Sequence, residues 1–251
     1  VAALLGFLGA AASCIRSWRR AVVSLLGSLI IILALLYSSE VLEVNTSPHK
    51  ILSQVLLYPG TKLLWRGWNS FSRVDLVKSD SIHIAPGLSF TFPGSLPAQA
   101  GVAIDGDNLS PITLLSPEEA VFTSYLPSSL VYRLVPKAKA LIVEPAGGLD
   151  ILTALHLGAS RVVAVESNPL VVQVIGEWFP EYGGSLYSNP RVEVVLQGSR
   201  SYLQGTSETY DVLVLSLNEN SAVVTAGAYS LAENYLLTKE AFRDYYRRLA
   251  P

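Results

Sequence analysis

The residues best suited to chemistry follow two apolar segments in the second half of the chain. The segment ALIVE ends at Glu144 and precedes the glycine pair Gly147 and Gly148, and the segment RVVAVE ends at Glu166. Glycines let the backbone approach a ligand closely, and the amides that begin the next helix favour an anion. Glu166 lies eighteen residues after Gly148, close to the roughly 20-residue spacing at which an acid binds ribose hydroxyls. We therefore predict a nucleoside-cofactor site.

Four polar residues near these segment ends complete the predicted cofactor site. They are Asp150, Ser167, Asn168 and Ser199. Two hydrogen bonds from ribose hydroxyls to the Glu166 carboxylate would contribute about 1.5–3 kcal/mol each, enough to anchor a ribose. The alternative is that Glu166 is a solvated acid at the end of a strand, and a glycine pair alone does not decide between the two.

These residues need strands and helices that alternate along the chain. The apolar segments are continuous, as in buried parallel strands, and amphipathic segments follow them. Successive βα units indicate a parallel sheet with right-handed crossovers, which binds ligands beyond the carboxyl ends of its strands. We predict strands at Ala140–Glu144, Arg161–Glu166, Arg191–Leu196 and Tyr210–Leu217, and helices at Ile151–Ala159, Leu170–Phe179 and Ala232–Leu249. The chain stops where another strand is expected, so we expect an α/β domain over residues 137–251 that lacks its C-terminal strands.

Residues 40–136 have a different pattern, in which Pro and Gly recur between short apolar stretches. Alternation with a period of two residues predicts strands at Arg73–Val77, Ser81–Ala85 and Gly101–Asp105. Helical spacing over Ser47–Leu57 predicts one short helix. This region is therefore expected to form a small β-rich subdomain with short helices.

Residues 1–39 contain two apolar runs, Val1–Ile15 and Ala21–Tyr37, separated by the basic segment Arg16–Arg20. A membrane span needs roughly 17–25 apolar residues, so the pattern predicts a transmembrane helical hairpin, cut short at its N-terminus. The alternative is a cleaved signal peptide, but there the basic residues precede a single apolar core. Three arginines favour a cytoplasmic turn, which would place the chain after Tyr37 outside. A cofactor made in the cytosol would then be on the wrong side, so the side on which the rest of the chain lies stays open.

The composition excludes several classes of function. The chain is 50% apolar and only 15% charged, and its formal net charge is −2. Its lysines and arginines form no long run, so a nucleic-acid partner is not expected. The single cysteine, Cys14, rules out an intramolecular disulfide, and His49 and His83 lack neighbours at ligand spacing. No metal site is predicted.

Several motifs, taken in order, resemble one protein family. They are SPHK, RVDLV, IDG, LPSSLVYRL, EPAGGLD, VESNP, NPRVEVVLQGSRSYL and YDVLVLSL, between Ser47 and Leu217. Over Ser47–Pro251 the chain resembles the spermidine/spermine synthase superfamily, the polyamine aminopropyltransferases, and in particular their membrane-fused bacterial branch. The resemblance implies a small β subdomain before a Rossmann-like parallel sheet of the S-adenosylmethionine-dependent methyltransferase type.

The resemblance also implies a reaction and a location. Members of the family transfer an aminopropyl group from decarboxylated S-adenosylmethionine to an amine such as putrescine. Glu166 matches the family's ribose-binding acid, and together with Glu144 it belongs to the implied cofactor site. The membrane-fused branch implies a location in the bacterial inner membrane, and the resemblance leaves a homodimer open.

The chain departs from the family at three acidic positions. Gly148 occupies the place of an aspartate in the glycine motif, with Asp150 two residues on, and Gly198 replaces an acid on the adenine side. Ser216 replaces the catalytic aspartate. A carboxylate there would act as base and hold the amine, so Glu219 is the implied substitute, unless it is a surface-loop acid.

Tyr125 and Tyr229 are candidates for the substrate pocket, with buried structural tyrosines as the alternative. The altered acids leave two further functions open beside aminopropyl transfer. One is methyl transfer from S-adenosylmethionine. The other is a catalytically inactive membrane protein that binds a nucleoside or a polyamine.

Overall fold

The computed structural model describes Gly6, Gly9 and residues 18–36, 46–216 and 234–251. The chain divides into two compact units, Val1–Thr46 and Ser47–Pro251. The predicted boundary after residue 136 falls inside the second unit and stays a prediction.

The first unit contains helix α1, Trp18–Leu36. Among the residues that the structure describes, no helix is long and apolar enough to cross a membrane. Arg19 and Arg20 lie in the first turn of α1, and its uncharged remainder extends for roughly 24 Å at about 1.5 Å per residue, less than the roughly 30 Å hydrocarbon core. The prediction of N-terminal transmembrane helices is therefore wrong, and the inner-membrane location stays a prediction. Most of the first apolar run, Val1–Ile15, lies outside the described residues.

Within residues 46–216 and 234–251, the second unit has two four-stranded sheets. The strands are β1 Lys62–Trp68, β2 Arg73–Lys78, β3 Gln99–Ile104, β4 Asp107–Thr113, β5 Lys139–Val143, β6 Arg161–Glu166, β7 Val192–Leu196 and β8 Val212–Leu215. The α-helices are α2 Ile51–Val55, α3 Ser129–Leu134, α4 Leu149–His156, α5 Pro169–Val172, α6 Pro180–Tyr187, α7 Ser199–Gly205 and α8 Lys239–Arg248. Two 3-10 segments, Pro117–Glu119 and Val121–Tyr125, precede α3, and a π-helical segment, Gln173–Trp178, continues α5.

The first sheet is an antiparallel meander in the order β1-β2-β3-β4. Asp105 and Gly106, both at positive φ, form the tight turn between β3 and β4, as an Asp-Gly pair favours. The predicted strand at Ser81–Ala85 is wrong. The side-chain amide of Gln99 bonds both the N–H and the carbonyl of Ile84, at 2.6 and 2.9 Å, and so takes the place of a neighbouring strand.

The second sheet is parallel in the order β7-β6-β5-β8, which confirms the predicted α/β arrangement. Its two central strands, β5 and β6, are apolar on both faces because both faces are covered. Ala140, Ile142, Val162 and Ala164 belong to one core cluster together with Ile151 of α4. Alternate residues, including Leu141 and Val163, belong to a second cluster with Leu203, Tyr210 and Tyr245. Each fully buried aliphatic side chain contributes about 1.5–3 kcal/mol, which fixes the positions of the strand ends.

Candidate functional site

Two acidic side chains lie side by side at the carboxyl edge of the parallel sheet. Val143 of β5 pairs with Val165 of β6, and the N–H of Glu144 donates to the carbonyl of Val165 at 2.8 Å. The next residues, Glu144 and Glu166, therefore project from neighbouring strand ends. The two strands are adjacent in the sheet.

Glu166 joins the turn that follows β5 to the loop that follows β6. Its Oε2 accepts the N–H of Ala146 at 3.2 Å, and its Oε1 accepts the N–H of Asn168 at 3.0 Å. The side chain is only 2% exposed. The acid and the glycine turn thus converge, and because an ionised carboxylate offers about four acceptor positions, Glu166 keeps capacity for ligand hydroxyls.

Glu144 holds the ends of three strands together. Its Oε2 accepts the N–H and the hydroxyl of Ser167, at 3.1 and 2.9 Å, after β6. Its Oε1 accepts the hydroxyl of Ser199, which begins α7 after β7. Glu144, Ser167 and Ser199 were predicted as cofactor-binding residues, and the structure brings all three together beside Glu166.

Burial and the neighbouring Glu144 raise the pKa of Glu166 to about 8, although the N–H groups of Asn168 and Ala146 lower it. The hydroxyl of Tyr187 donates to the carbonyl of Ala146 at 2.5 Å, and burial together with the charges of Glu166 and Glu144 raises the pKa of this phenol. Because the pKa of Glu166 is raised to about 8, the pair of Glu144 and Glu166 holds one proton at neutral pH. Such a shift beside a glycine turn is typical of a functional site.

The glycine turn packs against protein on both sides. The N–H of Gly147 donates to the hydroxyl of Ser110 at 2.9 Å, and a Cβ on Gly147 would lie 2.4 Å from the carbonyl oxygen of Pro111 in β4. Gly148 has a φ of +88°, and a Cβ there would lie 2.6 Å from Leu186. The two glycines thus allow close packing of the turn, and their contact with a cofactor stays a prediction.

Asp150 lies on the other side of β5, beside the position of the altered catalytic residue. The hydroxyl of Ser216, the residue after β8, donates to Asp150 Oδ2 at 2.6 Å. Burial raises the pKa of Asp150, whereas the bond from Ser216 lowers it. Asp150 was predicted to bind the cofactor, and the structure pairs it with the predicted catalytic residue.

Tyr132 is a polar residue of this region that the sequence reasoning missed. Its hydroxyl is buried and has no hydrogen-bond partner among the described residues. Burial, and next the charge of Asp150, raise the pKa of Tyr132. The sequence signal that could have identified Tyr132 was its place in the motif LPSSLVYRL. This motif supported the family resemblance, but Tyr132 was assigned no role.

Asn168 serves two structural purposes. Its side-chain oxygen caps α5 by accepting the N–H of Leu170 at 3.1 Å, and it also accepts a bond from Asn69 at 2.7 Å. Its amide nitrogen donates to Ser72 at 2.8 Å. Asn69 and Ser72 lie between β1 and β2, so the first sheet reaches the loop that carries Glu166. A role of Asn168 in cofactor binding stays a prediction.

Three predicted site residues remain, and they are Tyr125, Glu219 and Tyr229. Tyr125 ends a 3-10 segment, and its ring centroid lies 5.2 Å from that of Phe92. Glu219 and Tyr229 lie outside the described residues. Within the described part of the chain, no three His, Cys, Asp or Glu side chains are grouped so that they could hold a metal ion.

An antiparallel sheet followed by a parallel sheet with acidic strand ends defines a Rossmann-like α/β protein. Polyamine aminopropyltransferases from Korarchaeum cryptofilum and Thermoplasma acidophilum are 24% and 27% identical to this chain over 102 and 116 residues. The matches cover 41% and 45% of this chain and 32% and 40% of those proteins. These relatives confirm the resemblance to the spermidine synthase superfamily. They do not show the membrane-fused branch.

The other comparisons concern the length of the relatives, family models and solved structures. The chain spans well under half the length of the curated relatives it matches, and no family model matches it. A spermidine synthase from Thermotoga maritima superimposes with a TM-score of 0.48 at 17% identity, over 75% of this chain and 54% of that one. A spermidine synthase in complex with the transition-state analogue AdoDATO gives a TM-score of 0.45 at 16% identity, over 75% and 53%.

The raised pKa of Glu166 predicts a loss of stability as the pH rises. Between its ordinary value of 4.5 and about 8, the folded chain keeps a proton that the unfolded chain has lost, so stability falls as the pH rises through this window. We expect Glu166→Gln to flatten this part of a plot of thermal unfolding midpoint against pH. The exposed Glu118→Gln should leave the slope unchanged. Equal slopes in the wild type and Glu166→Gln would contradict the shift.

Close packing at the glycine turn predicts that Gly147→Ala lowers the free energy of unfolding by about 1–3 kcal/mol, because the new methyl group meets the backbone of Pro111. Gly205→Ala is the matched control. A Cβ on Gly205 has no atom within 4 Å, and this change should be neutral or stabilise by up to about 1 kcal/mol. Urea titration measures both, and similar values for the two variants would refute the close contact.

Proposed function

We propose that the chain is an aminopropyltransferase, which transfers an aminopropyl group from decarboxylated S-adenosylmethionine to a polyamine. The observation that carries the proposal is the pairing of Glu144 and Glu166 at neighbouring strand ends, with Glu166 bonded to the turn after β5. An acid in this position can accept both hydroxyls of a ribose. The curated relatives, named polyamine aminopropyltransferases, support this class of reaction.

The ribose would be bound mainly by Glu166, with Glu144 in support. Each oxygen of Glu166 already accepts one backbone N–H, so the carboxylate is fixed in place before a ligand arrives. Ribose hydroxyls donate best to the ionised form, and their bonds would favour loss of the proton that the pair holds. Binding of the nucleoside is therefore coupled to release of a proton.

A second candidate is methyl transfer from S-adenosylmethionine. The observation that favours it is Ser216, since a serine hydroxyl is a weak base at neutral pH and the acceptor amine must lose a proton before it attacks. Both candidates use the same nucleoside site. They differ in the group transferred and in the preferred form of the cofactor.

The direct test of the proposed function is release of methylthioadenosine by the full chain. Decarboxylated S-adenosylmethionine is supplied with putrescine, spermidine or cadaverine, and the product is measured by liquid chromatography and mass spectrometry. We expect turnover in the wild type and in the exposed control Glu118→Ala, and a loss of at least about 100-fold in Glu166→Ala. Absence of product with every amine would overturn the proposal. Transfer of a methyl group from S-adenosylmethionine would instead support the second candidate.

The coupling between binding and ionisation predicts that methylthioadenosine binds more tightly as the pH rises from 6 to 8. Only the ionised Glu166 accepts both hydroxyls, so the affinity should rise by up to about tenfold per pH unit below the raised pKa. Isothermal titration calorimetry at several pH values measures this slope. Glu166→Gln should bind weakly at every pH, and an unchanged slope in that variant would assign the proton to another group.

A further inference from the structure

We propose that Asp150 supplies the carboxylate that position 216 lacks, and that Asp150 and Ser216 together bind and deprotonate the acceptor amine. This inference rests on the proposed aminopropyltransferase function. It assigns the acceptor side of the site to a residue that follows the glycine turn, instead of to a residue that follows β8.

The geometry places the two side chains within one hydrogen bond of each other. Ser216 Oγ lies 2.6 Å from Asp150 Oδ2, and the N–H of Ser216 donates to the carbonyl of Val143 at 3.0 Å. The second bond fixes Ser216 at the carboxyl edge of β5. The Asp150 carboxylate therefore lies directly beside the space that an acidic side chain at position 216 would occupy.

The surroundings of Asp150 suit an amine ligand. Ser216 holds only Oδ2, so within the described residues Oδ1 remains able to accept from an ammonium or amine group. The buried hydroxyl of Tyr132, which has no partner among those residues, lies close enough to be affected by the charge of Asp150.

The transfer step balances with Asp150 as the base. The acceptor ammonium gives one proton to the Asp150 carboxylate, and the freed lone pair attacks the aminopropyl CH₂ next to the sulfonium. The new C–N bond forms as the C–S bond breaks, and the bonding electrons go to sulfur, which leaves as neutral methylthioadenosine. The product ammonium keeps the positive charge that the sulfonium loses. Asp150 then gives the proton that it took to solvent, which restores its carboxylate. Burial brings the pKa of Asp150 closer to that of an efficient base.

Moving the carboxylate from one partner to the other tests the proposal. Asp150→Asn should lower kcat by about 10²- to 10⁴-fold, the usual contribution of a general base. Its dissociation constant for methylthioadenosine should stay within about twofold of the wild type, which also shows that the variant is folded. The double variant Asp150→Asn/Ser216→Asp restores a carboxylate one hydrogen bond away, and kcat should rise at least about tenfold above that of Asp150→Asn. The exposed Asp80→Asn is the matched control.

The outcomes separate this inference from the proposed function. A wild type that releases no methylthioadenosine overturns both. A wild type that turns over, together with an Asp150→Asn variant of similar kcat, overturns only the role of Asp150. The role also fails if Glu219→Gln abolishes turnover while Asp150→Asn does not, or if the double variant binds methylthioadenosine normally and recovers no activity.

Discussion

The hydrogen bonds between Glu166 and the backbone of its own sheet edge are the interaction on which the rest of the site depends. Glu166 accepts the N–H groups of Ala146 and Asn168, and it does so beside Glu144, a second carboxylate. Two like charges in contact, one of them buried, cannot both be ionised without a large cost, so the pair retains a proton. The fold thus places a titratable pair at the ends of two strands that the core already holds rigid.

The turn after β5 would be unfavourable without these bonds. Glu144 and Ala146 both have positive φ, at 54° and 44°, in a region that residues with a Cβ rarely adopt. Such conformations cost of order 1–3 kcal/mol each and persist only where the surroundings fix them. Here Glu166 fixes the N–H of Ala146 and Tyr187 fixes its carbonyl. The acid is therefore required for the shape of the turn before any ligand is considered.

The parallel sheet was predictable because its strands are continuous apolar runs that end in acids, and adjacency of β5 and β6 follows from a short right-handed crossover. The strand predicted at Ser81–Ala85 is wrong because the side chain of Gln99 bonds Ile84 in place of a neighbouring strand. The periodicity of the sequence carries no information about this contact. The glycine turn was placed correctly, but its packing against Pro111 depends on the first sheet, which lies far away in sequence. The contact between Asp150 and Ser216, 66 residues apart, depends on the strand order and could not be read from spacing.

The strand order also explains why two acidic centres lie on opposite sides of β5. From β5 the chain adds β6 and then β7 in one direction, and it then returns to place β8 on the other side of β5. The crevice at such a reversal is where open parallel sheets bind their ligands. Glu144 and Glu166 lie on the β6 side of this point, whereas Asp150 and Ser216 lie on the β8 side. A ligand that spans the end of β5 would therefore have its ribose beside Glu144 and Glu166 and its transferable group beside Asp150 and Ser216, which is the arrangement that the proposed role of Asp150 requires.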